Sequence, residues 1–315
     1  MKTVAELEQF FRNELSTDIR KIETKRKLIV FKIVALHIVM LGLLVGAMYF
    51  LSQMRDTIEK FTGENTMYGW YVLVSLIVLV IDLALHFDFI NNKAFYISFK
   101  SKVIDQIVKY IDSRMMYFPH KAILPQTLVE SQLFHVKPNK KYKGDDYVIG
   151  QLEDVQVEFS EVHASYKPDK NKKQVKDLFK GLFFVATLPD KRDIQLIVLP
   201  KNAPKIKTEL TSLNYGLPEF QEIFSVYTNK PDEVGKFLSV HLQEELVESF
   251  KAKHTSSISF SYLGNKVYVA VFINKDLFEP RIFHSLLDFK VIAEYYSDLY
   301  HALHMVELIR GAKKA

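Results

Sequence analysis

The chain has 315 residues, 48% of them hydrophobic, with a net charge of +5 and a pI of about 8.9. Cysteine is absent, which excludes disulfide staples, cysteine-ligated zinc, iron–sulfur clusters and thiol catalysis. The basic residues are mixed with acids, so the charge leaves no nucleic-acid footprint and no nucleic acid is expected as a partner.

Residues 1–27 read as a cytoplasmic amphipathic helix: Val4, Leu7, Phe10, Phe11, Leu15, Ile19 and Ile22 recur at helical spacing with charges between them. A transmembrane hairpin is expected over 28–90, with spans at about 30–51 and 68–88. Ile33–Leu51 (IVALHIVMLGLLVGAMYFL) carries no formal charge. At ~1.5 Å per residue it reaches roughly 28 Å, close to the ~30 Å hydrocarbon core. Tyr68–Phe87 (YGWYVLVSLIVLVIDLALHF) is of similar length and carries only Asp82. Lys21, Lys25, Arg26, Lys27 and Lys32 precede the first span, and Lys93, Lys100 and Lys102 follow the second. The connecting loop offers only Arg55 and Lys60, offset by acids. The positive-inside rule therefore puts both termini in the cytoplasm, with Tyr49, Tyr68, Trp70 and Tyr71 as an outer aromatic belt.

Reflecting the hairpin about the point between Glu59 and Lys60 places His37 and Asp82 at one depth, with Lys32, His86 and Asp88 nearer the cytoplasmic exit. A charged Asp inside a bilayer costs ~2.5–3.5 kcal/mol on insertion scales, much of which a facing imidazole that donates a hydrogen bond or carries the opposite charge would offset. His37 and Asp82 thus form an intramembrane polar pair, read either as a structural clasp between the spans or as a proton or ion relay. Gly42 and Gly46 make a G-x-x-x-G, a helix-packing spacing suited to the hairpin or to a homo-oligomer.

A cytoplasmic α+β domain is expected over 91–315. Phe95, Phe99, Val103, Ile107 and Ile111 continue an apolar helical stripe to about Met115, and 125–134 suits a short helix with Pro near its start. Residues 137–146 (KPNKKYKGDD) read as a turn-rich loop. The period then changes to two, with strands at 147–152 and 155–166, and 178–188 and 194–200 read as a hairpin around PDKR. After a mixed connector (201–218) and a short strand (224–228), residues 231–253 read as one helix. SISFSYL-GN-KVYVAVFI (257–273) is a hairpin about Gly264–Asn265, and 288–309 forms a last amphipathic helix. Hairpins with interspersed helices indicate an antiparallel sheet with packed helices.

Phosphate-cradling loops, a nucleophile elbow and H-E-x-x-H are missing, so no catalytic residue and no cofactor is assigned. Asp298, His301, His304 and Glu307, three apart on the last helix, are weak metal-ligand candidates that read equally as a polar helix face. Glu158, Glu161 and His163 are candidates to line a cleft.

The phrases VIGQLEDVQVEFSEVHA (148–164), FKGLFFVATL (179–188), FSVYTNKPDEVGKFL (224–238) and ISFSYLGNKVYVAV…LFEP (258–280) together resemble a bacterial family catalogued as a domain of unknown function, whose members sometimes carry the label "galanin". The resemblance implies a two-span bacterial inner-membrane protein with a cytoplasmic domain. Such proteins are often encoded beside LemA-type membrane proteins, which suggests a partner. It brings no catalytic residues. The expected function is a membrane-anchored adaptor or scaffold. The alternatives are a subunit of a transport or proton-conducting assembly, and an enzyme with an unrecognised cytoplasmic site. The topology has a direct check: alkaline phosphatase fused at Gly63 is expected to be active and fused at Ala315 inactive, and the reverse pattern inverts the hairpin.

Overall fold

The fold is α+β: two long apolar N-terminal helices, then a nine-stranded antiparallel sheet with helices packed on it. The computed structural model describes residues 4–63, 66–138, 141–168, 174–206, 209–251, 255–273 and 276–297. The chain divides into two compact units. One comprises Glu8–Lys102 with Pro280–Phe289, and the other holds the sheet.

In the first unit, helix runs through a π turn (Phe11–Leu15) into Ser16–Gln53, and a second helix spans Met67–Ile90. Both are long and apolar enough to cross a membrane. Their apolar side chains are largely uncovered: Phe31, Ile38, Leu41, Val45, Val72, Val80 and Phe87 are each more than half exposed. The stripe foreseen before the first span is inward-facing, with Leu15, Ile19 and Ile22 buried. After Ile90, Asn92 caps a new helix by accepting from the Phe95 amide at 3.0 Å.

The sheet strands are β1 (Met116–Phe118), β2 (Tyr142–Leu152), β3 (Val155–Tyr166), β4 (Lys176–Thr187), β5 (Gln195–Pro200), β6 (Thr211–Leu213), β7 (Phe224–Thr228), β8 (Thr255–Leu263) and β9 (Lys266–Ile273). Their order is β1-β2-β3-β4-β9-β8-β5-β7-β6, all antiparallel. Both faces are covered. On one, the segment Ile123–Leu133, including the helix Pro125–Glu130, closes over Phe183, Ile197 and Ala270. Buried serines on that face are taken up by the covering backbone: the Ser160 hydroxyl accepts from the Ile123 amide at 3.0 Å, and Ser261 donates to the Ser131 carbonyl at 2.7 Å. On the other face, Phe237 packs edge-on against Tyr262, while the helix Val240–Lys251 brings Phe250 onto Phe224.

The β8–β9 hairpin turns at Gly264–Asn265 as read, with Gly264 at φ +69°. Four local readings are corrected. Residues 178–188 and 194–200 are strands but not a hairpin: β4 lies between β3 and β9, and β5 between β8 and β7. The helix over 231–253 is broken at Leu238, because Ser239 accepts from the Leu242 amide and caps a fresh start at Val240. The loop at 137–146 ends at Tyr142, where β2 begins. The connector 201–218 contains β6. Of the helix expected over 288–309, residues 289–297 are helical and those from 298 on lie outside the described residues.

Gly181 holds the centre of the sheet together. Its φ is +147°, and a Cβ there would collide with the Val271 carbonyl and stand 2.8 Å from the Ile273 nitrogen. Gly181→Ala is therefore expected to cost about 1–3 kcal/mol, since neighbouring backbone has little room to yield. Calorimetry should show a sheet-unit Tm lower by several degrees; an unchanged Tm would mean that the strands can separate freely here.

Candidate functional sites

Asp82 lies on the second long helix, four residues before His86, so both side chains fall on one helical face. That face meets the first helix at His37. His37 Nδ1 is 2.9 and 3.0 Å from the two Asp82 oxygens, and His37 Nε2 is 3.2 Å from His86 Nδ1. The two imidazoles stack with centroids 5.1 Å apart. The polar group is thus a three-member chain, Asp82–His37–His86, running along the helix pair. A neutral His37 donates to Asp82 through Nδ1 and accepts from His86 at Nε2; a protonated His37 donates at both ends. The hairpin reflection sets Lys32 opposite Phe87, next to His86 and Asp88, whereas His86 meets His37, a place that its i, i+4 spacing to Asp82 signals. Gly42 and Gly46 lie elsewhere on the first helix, where an added Cβ at either would meet nothing within 4 Å.

A second group forms in the sheet unit. β2 carries a bulge: Asp145 pairs with Glu161, yet Val148 pairs with Phe159, so one extra residue sits in β2. Within it Asp146 takes φ +55°, a conformation Asp tolerates better than most residues. The Asp146 side chain is almost completely buried and accepts a short hydrogen bond from the Tyr117 hydroxyl of β1. Carboxylate oxygens of Asp145, Asp146 and Glu161 lie within 4.8 Å of one another. Glu161 also accepts from the Leu277 amide at 2.9 Å.

Three carboxylates this close cannot all ionise without large repulsion. Burial pushes the Glu161 carboxyl up to about 8, against the Leu277 hydrogen bond and with added push from Asp145, Asp146 and Asp276. Burial and the facing Asp146 charge raise the Tyr117 phenol as well, so it stays a neutral donor. The oxygen-only donor set would suit a hard cation rather than zinc. Protonation of Glu161 relieves the same repulsion.

Of the strand candidates, His163 shares a face with Glu161 and pairs with Asp177 at 2.7 Å, while Glu158 is on the opposite face and accepts from the Tyr147 hydroxyl at 2.6 Å. Asp298, His301, His304 and Glu307 lie outside the described residues. A small cavity of about 250 Å³ is lined by Leu128, Phe134, His135, Val136, Pro138 and Ile206. Burial lowers the His135 imidazole, favouring its neutral form.

A family model described as "Protein of unknown function (DUF3137)" matches residues 177–310, a stretch that opens within β4. No curated protein matches the chain. Among solved structures, the crystal structure of the mycobacterial trehalose monomycolate transport factor A, TtfA, is similar over 64% of this chain and 93% of that one, at 9% identity and a TM-score of 0.33. At that score neither fold nor function passes from one to the other.

Glu161 predicts a pH dependence. The folded protein holds the Glu161 proton to about pH 8, whereas the ordinary value is 4.5. The folded state then binds more protons, so stability is fully present below pH 4.5 and falls as pH rises through about 8. Thermal unfolding followed from pH 5 to 9 should show this loss, on the order of a few kcal/mol, and Glu161→Gln should flatten it. Equal slopes in the two proteins would place Glu161 in an environment that lets it ionise normally.

Proposed function

We propose that the protein is a membrane-anchored interaction module of the bacterial inner membrane. Its helical hairpin spans the bilayer with both termini cytoplasmic, and its sheet unit binds another protein. The carrying observation is the uncovered apolar surface of Ser16–Gln53 and Met67–Ile90. A core helix of a soluble protein would be covered, and soluble monomers rarely expose contiguous apolar patches beyond a few hundred Å². Hydrocarbon is the solvent that stabilises such a surface. On this reading Asp82–His37–His86 is a clasp: each polar group is met by a neighbour, and the two spans are pinned at one register. Protein binding is supported by the small cavity beside Phe134, Val136 and Pro138, which suits an apolar side chain of a partner segment. A LemA-type membrane protein is the partner suggested by the family resemblance, and self-association is compatible with the open surface at Gly42 and Gly46.

The same three-member chain favours a second reading, a subunit of a proton-conducting or transport assembly. Two spans enclose no pathway by themselves, so that reading requires several hairpins around one axis.

Purification from native membrane in mild detergent should retain a stoichiometric protein, and Val136→Asp, at the cavity rim, should weaken its retention about tenfold, roughly 1.4 kcal/mol. In reconstituted vesicles, wild type and Asp82→Asn should show the same low proton flux. Absence of a partner sinks the module reading, and flux lost in the variant sinks the clasp.

A further inference from the structure

Ten residues far from the hairpin in sequence, Pro280–Phe289 (PRIFHSLLDF), belong to the hairpin's unit. They are tied to the first helix just below the point where its apolar surface opens. Arg26 Nη1 donates to the Ile282 carbonyl at 2.6 Å. Glu23 accepts from the Ser285 hydroxyl at 3.1 Å and from the Leu286 amide at 3.0 Å, and it is held by Arg26 through two further bonds of 2.7 and 2.8 Å. Phe289 packs edge-on against Phe11, with ring centroids 5.6 Å apart.

This tie sorts the apolar side chains of the segment. Ile282 and Leu286 turn inward and are buried, while Phe283 and Leu287 turn outward and are 60% and 42% exposed. The level at which they are held matters. Exposed apolar surface on the first helix begins at Leu28 and Phe31, two and five residues after Arg26. At ~1.5 Å per residue that is about 3–8 Å along the axis from Arg26, which holds Ile282, and roughly 8–12 Å from Glu23, which holds Leu286, so Phe283 stands nearer than Leu287 to the ~30 Å hydrocarbon core, and both are within reach of the headgroup layer. Exposed cations stand at the same level, Lys25 and Lys27 on the helix and Arg281 on the segment. Three exposed cations against one exposed acid of the segment, Asp288, leave this level net basic, as the boundary between anionic headgroups and acyl chains favours.

We infer that Pro280–Phe289 is a lipid-contacting strap, which inserts Phe283 and Leu287 into the headgroup–acyl boundary of an anionic bilayer beside the base of the first span. The inference rests on the membrane reading of the hairpin. It adds a third contact with the bilayer, contributed by a segment that is neither a span nor an amphipathic helix.

The absence of cysteine makes a site-specific test clean. Full-length single-cysteine variants Phe283→Cys, Leu287→Cys, Leu43→Cys and Asn13→Cys, all at exposed positions, are labelled with a polarity-sensitive fluorophore. They are placed one copy per nanodisc of phosphatidylcholine and phosphatidylglycerol, which removes a second copy as a shield. Brominated lipids then report depth. Labels at 283 and 287 are expected to shift to the blue and lose most of their emission to shallow bromines, label 43 to deep bromines, and label 13 to neither. If label 43 is quenched while 283 and 287 behave like 13, the strap is wrong and the hairpin reading stands. If label 43 is unquenched, the hairpin reading fails and takes the strap with it. Because Ile282 and Leu286 carry the packing, the outward substitutions leave the tie intact.

Discussion

A carboxylate taken out of water must be met by donors or by a proton, and this constraint organises both units. Glu23 meets it with cations and amides: its two oxygens take the Arg26 guanidinium, the Ser285 hydroxyl and the Leu286 amide. Burial by itself would raise its carboxyl, but these bonds together with the Arg26 charge hold it below the ordinary carboxylate range. On the proposed membrane reading, Asp82 meets the constraint with an imidazole that is itself held by another. Glu161 meets it by keeping its proton. The three solutions have different consequences. An ion pair fixes geometry over a wide pH range, a histidine chain permits proton movement, and a retained proton makes stability depend on pH.

The Glu23 solution has the longest reach. Its donors Ser285 and Leu286 lie 262 and 263 residues further along the chain. Removing one partner of a buried pair typically costs ~3–5 kcal/mol, because the other is left charged and unmet. The tie is therefore strong enough to hold a short, irregular segment that buries only Pro280, Ile282 and Leu286 of its own. With its first turn held by Arg26 and its second by Glu23, the segment has little freedom to turn Phe283 inward. The outward set of Phe283 and Leu287 follows from how the backbone is held.

Periodic features were legible from the residues. Alternation over 155–166 and 257–273 gave strands at the observed places, because a two-residue period is a property of the strand itself. The pairing of β4 was not legible: its hydrophobic run is continuous, since both faces are buried, and nothing local distinguishes β9 from β5 as a neighbour. The break before Val240 was masked by apolar residues at helical spacing on either side, Val234, Phe237 and Leu238 before it and Leu242 and Leu246 after it, although Ser239 is a usable N-cap. Asp145 and Asp146 were lost in KPNKKYKGDD, whose composition is that of a turn; a bulge with φ +55° uses the same residues as a loop. Glu23 and Arg26 looked like an ordinary polar helix face at i, i+3, and their distant partners leave no trace in local spacing.

His37 and Asp82 were legible because depth in a hairpin can be counted. An apolar helix pair joined by a short connection has few registers, and in each a given residue has a narrow set of partners. The sheet unit has no such arithmetic, since nine strands can be ordered in many ways that leave every local period unchanged. Asp145, Asp146 and Tyr117 converge only through the pairing of β1, β2 and β3, together with one inserted residue. The same insertion that hid the cluster from the sequence also creates it. Without the extra residue in β2, Asp146 would alternate to the face opposite Asp145, and Glu161 would face one carboxylate rather than two.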